Sequence, residues 1–138
     1  MDSTLDRPLP VTTLETEPFW EGARAGRLVL MRCAECGRLA PPLAPRCPAC
    51  LSAARAPQTC SGRVSLRGRT VLHLPALPGH PPPLVVVECA VAEEPAVMLV
   101  ALDPEGISER LPPGAALRLG FATEANGQAY AVVAGAGA

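Results

Sequence analysis

Beyond residue 58 the chain alternates with a period of two. Val64 and Leu66 face one way and Arg63, Ser65 and Arg67 the other, the mark of a strand with one buried face. The same alternation returns in Leu117, Leu119 and Phe121 against Arg118, Gly120 and Ala122. Between these segments, Leu84 to Val91 and Ala96 to Leu102 are apolar runs joined by Ala92-Glu93-Glu94-Pro95, which predicts a hairpin, and Gln128 to Ala134 reads as a fifth strand. A brief helical turn fits Pro104 to Arg110, after the third strand, and this order of elements predicts a small OB-like barrel. Gly62 and Gly68 flank the first strand, where glycine permits strong coiling. Pro75, Pro78, Pro81, Pro82 and Pro83 keep Leu74 to Pro83 out of a sheet, so we expect an ordered loop there. The tail Gly135-Ala136-Gly137-Ala138 has no side chain able to dock it.

Upstream the pattern changes. Arg7 to Thr13 has no apolar period and predicts an extended or loosely ordered arm. In Thr16-Glu17-Pro18-Phe19-Trp20-Glu21-Gly22-Ala23-Arg24-Ala25-Gly26, Thr16 can cap a helix, Pro18 fits its first turn, Glu17 and Glu21 suit its positive end and Gly26 ends it. Phe19 and Trp20 lie about 100° apart on such a helix, so both cannot share one face fully; they read as a hydrophobic cap over a small domain or as an anchor for a partner. Leu28-Val29-Leu30-Met31 suits a buried strand leading into Arg32-Cys33.

Composition narrows the function classes. The 138 residues hold 17 Pro and 12 Gly, too many for a helical bundle, and the 3% aromatic content means a thin core of Ala, Val and Leu. Every cation is arginine and the net charge is −1, so no global field holds a polyanion. Charge divides the chain into three parts: residues 1–31 carry −2, residues 32–57 carry +3 and residues 58–138 carry −2. We expect an arm and helix, a ribbon and a barrel over those ranges. No apolar run is long enough for a membrane helix, and Met1 to Arg7 has acids where a secretory signal has cations, so a cytoplasmic protein without a membrane association is expected.

The strongest chemical signal is Cys33-x2-Cys36 and Cys47-x2-Cys50, separated by ten residues, with Gly37 after the first pair. Two intervening residues let both sulfurs of one turn face a common point, and a second turn across a short hairpin completes a tetrahedron. Four sulfurs leave no open coordination position, so the metal would be structural; ligand type alone does not separate zinc from the iron of a rubredoxin-like site. Cys60 and Cys89 have strand-like neighbours and read as core thiols rather than a disulfide or a nucleophile.

His73 and His80 read as surface or satisfied histidines, and Glu88, Glu93, Glu94, Glu105 and Glu109 as solvated strand or turn residues. Single-strand binding by a barrel needs stacking rings and a basic groove, and residues 58–138 supply only Phe121 and Tyr130, which disfavours nucleic acid. The ribbon cations Arg32, Arg38, Arg46 and Arg55 read as a solvated basic surface or as contacts for phosphates; so few suit a small ligand such as coenzyme A, with Arg32, Arg38 and Arg46 as its candidate contacts, better than a polymer.

Pro18-Phe19-Trp20-Glu21-Gly22, Gly26-Arg27-Leu28-Val29-Leu30, Cys33-x2-Cys36-Gly37, Cys47-Pro48-x-Cys50 and Gly62-Arg63-Val64 follow one another in this order. From about residue 17 to 134 the chain resembles the acyl-CoA-associated zinc-ribbon and OB-fold proteins, domain-of-unknown-function family 35 (DUF35). The resemblance implies a mainly β protein: an N-terminal helical arm, a rubredoxin-like zinc ribbon and a five-stranded OB-like barrel. It implies Cys33, Cys36, Cys47 and Cys50 as ligands of a structural zinc and no catalytic residue of the chain's own. It also implies a hetero-oligomer with a thiolase-like or lipid-transfer-protein-like enzyme, sharing acyl-CoA with that partner in ketoacyl condensation or steroid side-chain retro-aldol cleavage. A nucleic-acid-binding ribbon and barrel is the alternative.

Overall fold

The computed structural model describes residues 7–137. The reading of Met1 to Asp6 as lacking a secretory signal, and the last residue of the tail, lie outside that range. Helix α1 (Glu17–Arg24) is followed by strands β1 (Leu28–Cys33), β2 (Leu39–Ala40) and β3 (Arg55–Cys60), which form one sheet in the order β2-β1-β3. Strands β4 (Arg63–Leu72), β5 (Leu84–Val91), β6 (Glu94–Leu102), β7 (Ala116–Thr123) and β8 (Ala129–Ala136) close into a barrel in the order β4-β5-β6-β8-β7. A 3-10 turn, Ile107–Arg110, lies between β6 and β7. Among the described residues no helix is long and apolar enough to cross a membrane.

The barrel follows the alternation of its sequence. Val64 and Leu66 are buried while Arg63 and Arg67 are exposed, and Leu117 and Leu119 are buried beside exposed Arg118. Register slips between Leu66 and Gly68, where the long first strand must coil, and Gly62 enters the barrel at φ +85°. Closure needs one parallel contact, Leu102 with Val132, which brings the third strand against the fifth. The proline loop stays out of the sheet, and the isolated Leu77–His80 bridge lies within the loop itself. The tail departs from expectation. Ala136 pairs with Leu117 and the Gly137 amide donates to the Ala116 carbonyl at 2.8 Å, because a strand edge is satisfied by main chain and needs no side chain to hold it.

The ribbon and the barrel share one core. Leu28 and Leu30 of β1, Leu39 of β2 and Cys60 of β3 pack in the same cluster as Val64, Val87, Val97 and Leu117. The sheet of the ribbon runs beyond the Cys-rich segment at both ends, from Leu28 to its partner Cys60, and these outer rows carry the join. Glu93 and Glu94, expected to be solvated, fasten it: Glu93 accepts the Ser61 amide at 2.6 Å and Glu94 accepts the Leu39 amide at 3.4 Å. Burial works against the charged form of Glu93, yet the Ser61 amide bond holds its pKa below the usual carboxylate value.

Helix α1 lies against β1, β7 and β8. Pro18 sits in its first turn and Gly26, at φ +79°, follows its end. Thr16 occupies the capping position, but its hydroxyl accepts the Thr13 amide at 2.9 Å instead of a helical one, since the preceding turn offers a closer donor. Phe19 and Trp20 draw the four aromatic residues of the chain together: Phe19 meets Trp20 and Phe121 edge to face at 5.0 and 6.2 Å, and Trp20 meets Tyr130 at 5.8 Å. Buried Gln128 binds the helix from below, accepting from Arg24 at 2.7 Å and donating to the Trp20 carbonyl at 3.3 Å. A Cβ on Gly22 would stand 2.5 Å from Val29 Cγ2 and 3.0 Å from the Arg27 carbonyl, so only glycine lets helix and strand approach this closely. Gly22→Ala is therefore expected to destabilise the chain by about 1–3 kcal/mol, measured by urea denaturation.

The arm is tied down at its start. Tyr130 donates its hydroxyl to the Pro8 carbonyl at 2.9 Å, and the Arg7 guanidinium lies 3.7 Å from the centre of the Tyr130 ring. Glu124, after β7, gathers Arg7 at 3.7 Å and His80 of the proline loop at 2.8 Å. His80 is thus a satisfied histidine, whereas His73 is exposed.

Candidate metal centre

The strands of the ribbon carry two tight turns to one end of their sheet. In the first, the Cys33 amide donates to the Arg38 carbonyl at 2.8 Å and the Gly37 amide returns to the Cys33 carbonyl at 3.0 Å. The second repeats it, with the Cys47 amide on the Ser52 carbonyl at 3.0 Å and the Leu51 amide on the Cys47 carbonyl at 2.9 Å. Each turn needs a left-handed residue after its second cysteine, at φ +79° for Gly37 and +65° for Leu51. Glycine takes that conformation freely; a leucine there is strained by about 1 kcal/mol or more.

The turns bring the four sulfurs of Cys33, Cys36, Cys47 and Cys50 within 4.8 Å of one another. Cys33 and Cys50 stand 3.5 Å apart and Cys36 and Cys47 3.4 Å. Metal–sulfur bonds of about 2.3 Å in a tetrahedron would separate the sulfurs by about 3.8 Å, so the donor set fits one closed tetrathiolate ion. Cys33 and Cys47 are buried while Cys36 and Cys50 are exposed.

Backbone amides favour thiolates here. Those of Cys36 and Glu35, at 3.5 and 3.4 Å from the Cys33 sulfur, pull its pKa down to about 6, and the amides of Cys50 and Ala49 lower Cys47. The amides of Arg38 and Ser52 are the strongest single influence on Cys36 and Cys50 and lower them in the same way, but the neighbouring sulfurs together with burial leave both raised, Cys50 to about 12. Each close pair therefore holds one thiolate readily and a second only against repulsion, which a divalent cation relieves. Cys60 and Cys89 lie elsewhere as buried free thiols; burial raises Cys60 and pushes Cys89 up to about 11, which keeps them protonated.

The ribbon arginines are placed unevenly. Arg32 donates through Nε to the Gln58 side chain and through a terminal nitrogen to the Gly37 carbonyl, and Arg46 donates to the Leu51 carbonyl at 3.2 Å. Arg55 holds the Ala44 carbonyl at 2.6 Å. Among the described residues the Arg38 guanidinium has no hydrogen bond; it lines a cleft of 210 Å³ with Pro48, Ala49 and Glu94. The spacing of the cysteines is visible in the sequence, and so is the repeat Arg-Cys-x2-Cys that begins at Arg32 and at Arg46. The carbonyl partners of those arginines become visible only when the turns close.

Residues 20–54 match the family described as ChsH2, rubredoxin-like zinc ribbon domain. Among solved structures, the chain is similar to one in an "Ltp2-ChsH2(DUF35) aldolase" at 25% identity, covering 91% of this chain and 97% of that one with a TM-score of 0.78. Both likenesses support a zinc-ribbon protein of the DUF35 kind. No curated protein sequence matches it significantly. The expected architecture of the family is present throughout: one N-terminal helix, the four-cysteine ribbon and a closed five-stranded barrel. The glycine of its Phe-Trp-x-Gly motif is explained by the contact between Gly22 and Val29, and the glycine that opens its barrel by the left-handed Gly62.

Proposed function

We propose that this DUF35 chain is a non-catalytic subunit that docks on a lipid-transfer-protein-like enzyme acting on acyl-CoA, with the partner supplying the nucleophile. The observation that carries the reading is the end-to-end likeness to a chain of the Ltp2-ChsH2 aldolase, which embraces helix, ribbon and barrel together. That protein's name favours carbon–carbon cleavage of the retro-aldol kind over ketoacyl condensation. We assign zinc to Cys33, Cys36, Cys47 and Cys50 in a structural role, since four thiolates fill a tetrahedral ion and leave no position for substrate or water. The chain then belongs in the cytoplasm, where such thiolates stay reduced. Of the cations suited to coenzyme A phosphates, Arg32 and Arg46 are engaged on the ribbon's own carbonyls, so contact with the cofactor falls first to Arg38.

The test is co-expression with a lipid-transfer-protein-like enzyme encoded beside this chain. Aldol cleavage of the acyl-CoA is then measured for the partner alone and for the pair. The pair is expected to purify together and the partner alone to be nearly inactive. Full activity of the partner alone would overturn the obligate role.

A further inference from the structure

We propose that Arg32 and Arg46 are positioning residues of the metal centre: each guanidinium clamps the carbonyl of the left-handed residue that closes the adjoining cysteine turn. The inference rests on the reading of the four sulfurs as a metal site and goes beyond the docking role. Each arginine immediately precedes the first cysteine of its pair, and each reaches the carbonyl five residues on, Arg32 to Gly37 and Arg46 to Leu51. That carbonyl belongs to the residue whose positive φ turns the chain back, φ +79° at Gly37 and +65° at Leu51. A charged donor on it opposes rotation out of the left-handed region, and so keeps the preceding sulfurs, Cys36 and Cys50, on the ion.

The two clamps carry unequal loads. Gly37 accepts positive φ without strain, and Arg32 is braced a second time by Gln58 on β3. Leu51 is strained and 69% exposed, with no burial of its own side chain to hold it, so the second turn depends on Arg46. The dependence should vanish when residue 51 is glycine.

The experiment uses the full chain loaded with zinc, its metal content measured first, and follows transfer of zinc to a chromogenic chelator. Arg46→Gln is expected to release zinc about tenfold faster than the unmodified chain, the loss of one charge-assisted hydrogen bond. Arg46→Lys, which keeps the charge and loses the planar fork, should lie between the two. In a Leu51→Gly background the same Arg46→Gln change should accelerate release only about twofold, because glycine needs no clamp. Cobalt(II)-loaded variants should keep the visible spectrum of a four-thiolate site, since no ligand is altered. Should Arg46→Gln fail to fold, Arg46→Lys with and without Leu51→Gly supplies the same comparison. Equal acceleration with and without the Leu51→Gly change, or release at the unmodified rate, overturns the clamp while the metal reading stands. An unmodified chain that takes up no zinc overturns both.

Discussion

Stripping the metal with a strong chelator is expected to unfold the Cys-rich end of the ribbon while the barrel stays folded. From Cys33 to Ala54 the only buried residues are Cys33, Leu39, Ala40 and Cys47, and two of these are ligands. A segment so poor in buried apolar surface cannot offset its own conformational entropy, and in metal-built domains the apparent binding energy of the ion, about 10–16 kcal/mol, supplies the difference. The other end of the same sheet is differently placed, with Leu28 and its partner Cys60 in the common core. Hydrogen exchange after chelation should therefore show amides 34–54 losing protection, with β4 to β8 retaining it and the Leu28–Cys60 end of β1 and β3 intermediate. Unchanged protection of residues 34–54 after verified removal of the metal would show that the ribbon folds on something other than its sulfurs.

Leu30→Ala is the point substitution expected to cost most among those that leave the metal ligands in place. Leu30 is 1% exposed and belongs to the cluster that joins ribbon to barrel, so truncation leaves a cavity at the seam of the two units. The expected loss is about 2–5 kcal/mol in urea denaturation, and a single transition should persist because one core serves both units. Val100→Ala is the control. Val100 lies on β6 with 64% of its surface exposed, and its truncation should change stability by less than about 0.5 kcal/mol. A Leu30→Ala chain as stable as Val100→Ala would mean that the shared core contributes little.

What the sequence discloses and what it withholds follow from the range of the interactions. The cysteine turns and the strands of the barrel are written in neighbours two to five residues apart, so Cys33-x2-Cys36, Cys47-x2-Cys50 and the alternation at Val64 and Leu66 are open to reading. The withheld parts join residues far apart in the chain. Glu124 meets Arg7 and His80, Gln128 meets Arg24 and Trp20, and Glu93 and Glu94 reach back to Ser61 and Leu39; nothing in the residue types at those positions announces the partner. Buried Asp103 belongs to the same class in a shorter form. Its carboxylate accepts the Ile107 and Ser108 amides at 3.0 and 2.8 Å and so starts the 3-10 turn, but on paper it is one more loop aspartate before a proline. Thr16 departs from expectation for a local reason, competition between two nearby donors, which residue type does not settle.

The proline loop and the arm meet at Glu124 as a consequence of barrel closure, which carries β8 and the turn before it to the place where both pass. The same closure gathers Phe121 and Tyr130 under Phe19 and Trp20, so that a chain with 3% aromatic residues concentrates them where the helix lands. Helix, ribbon and barrel are thereby held together, with the four cysteine sulfurs gathered at one end of the ribbon sheet.

Native mass spectrometry of this chain co-expressed with the lipid-transfer-protein-like enzyme proposed as its partner tests that account most directly, since one spectrum reports both assembly and metal. The account predicts a complex of the two chains carrying one zinc ion for each copy of this chain, and its dissociation when the zinc is removed. Two chains that fly separately, or a complex that forms equally well with no metal bound, would contradict it.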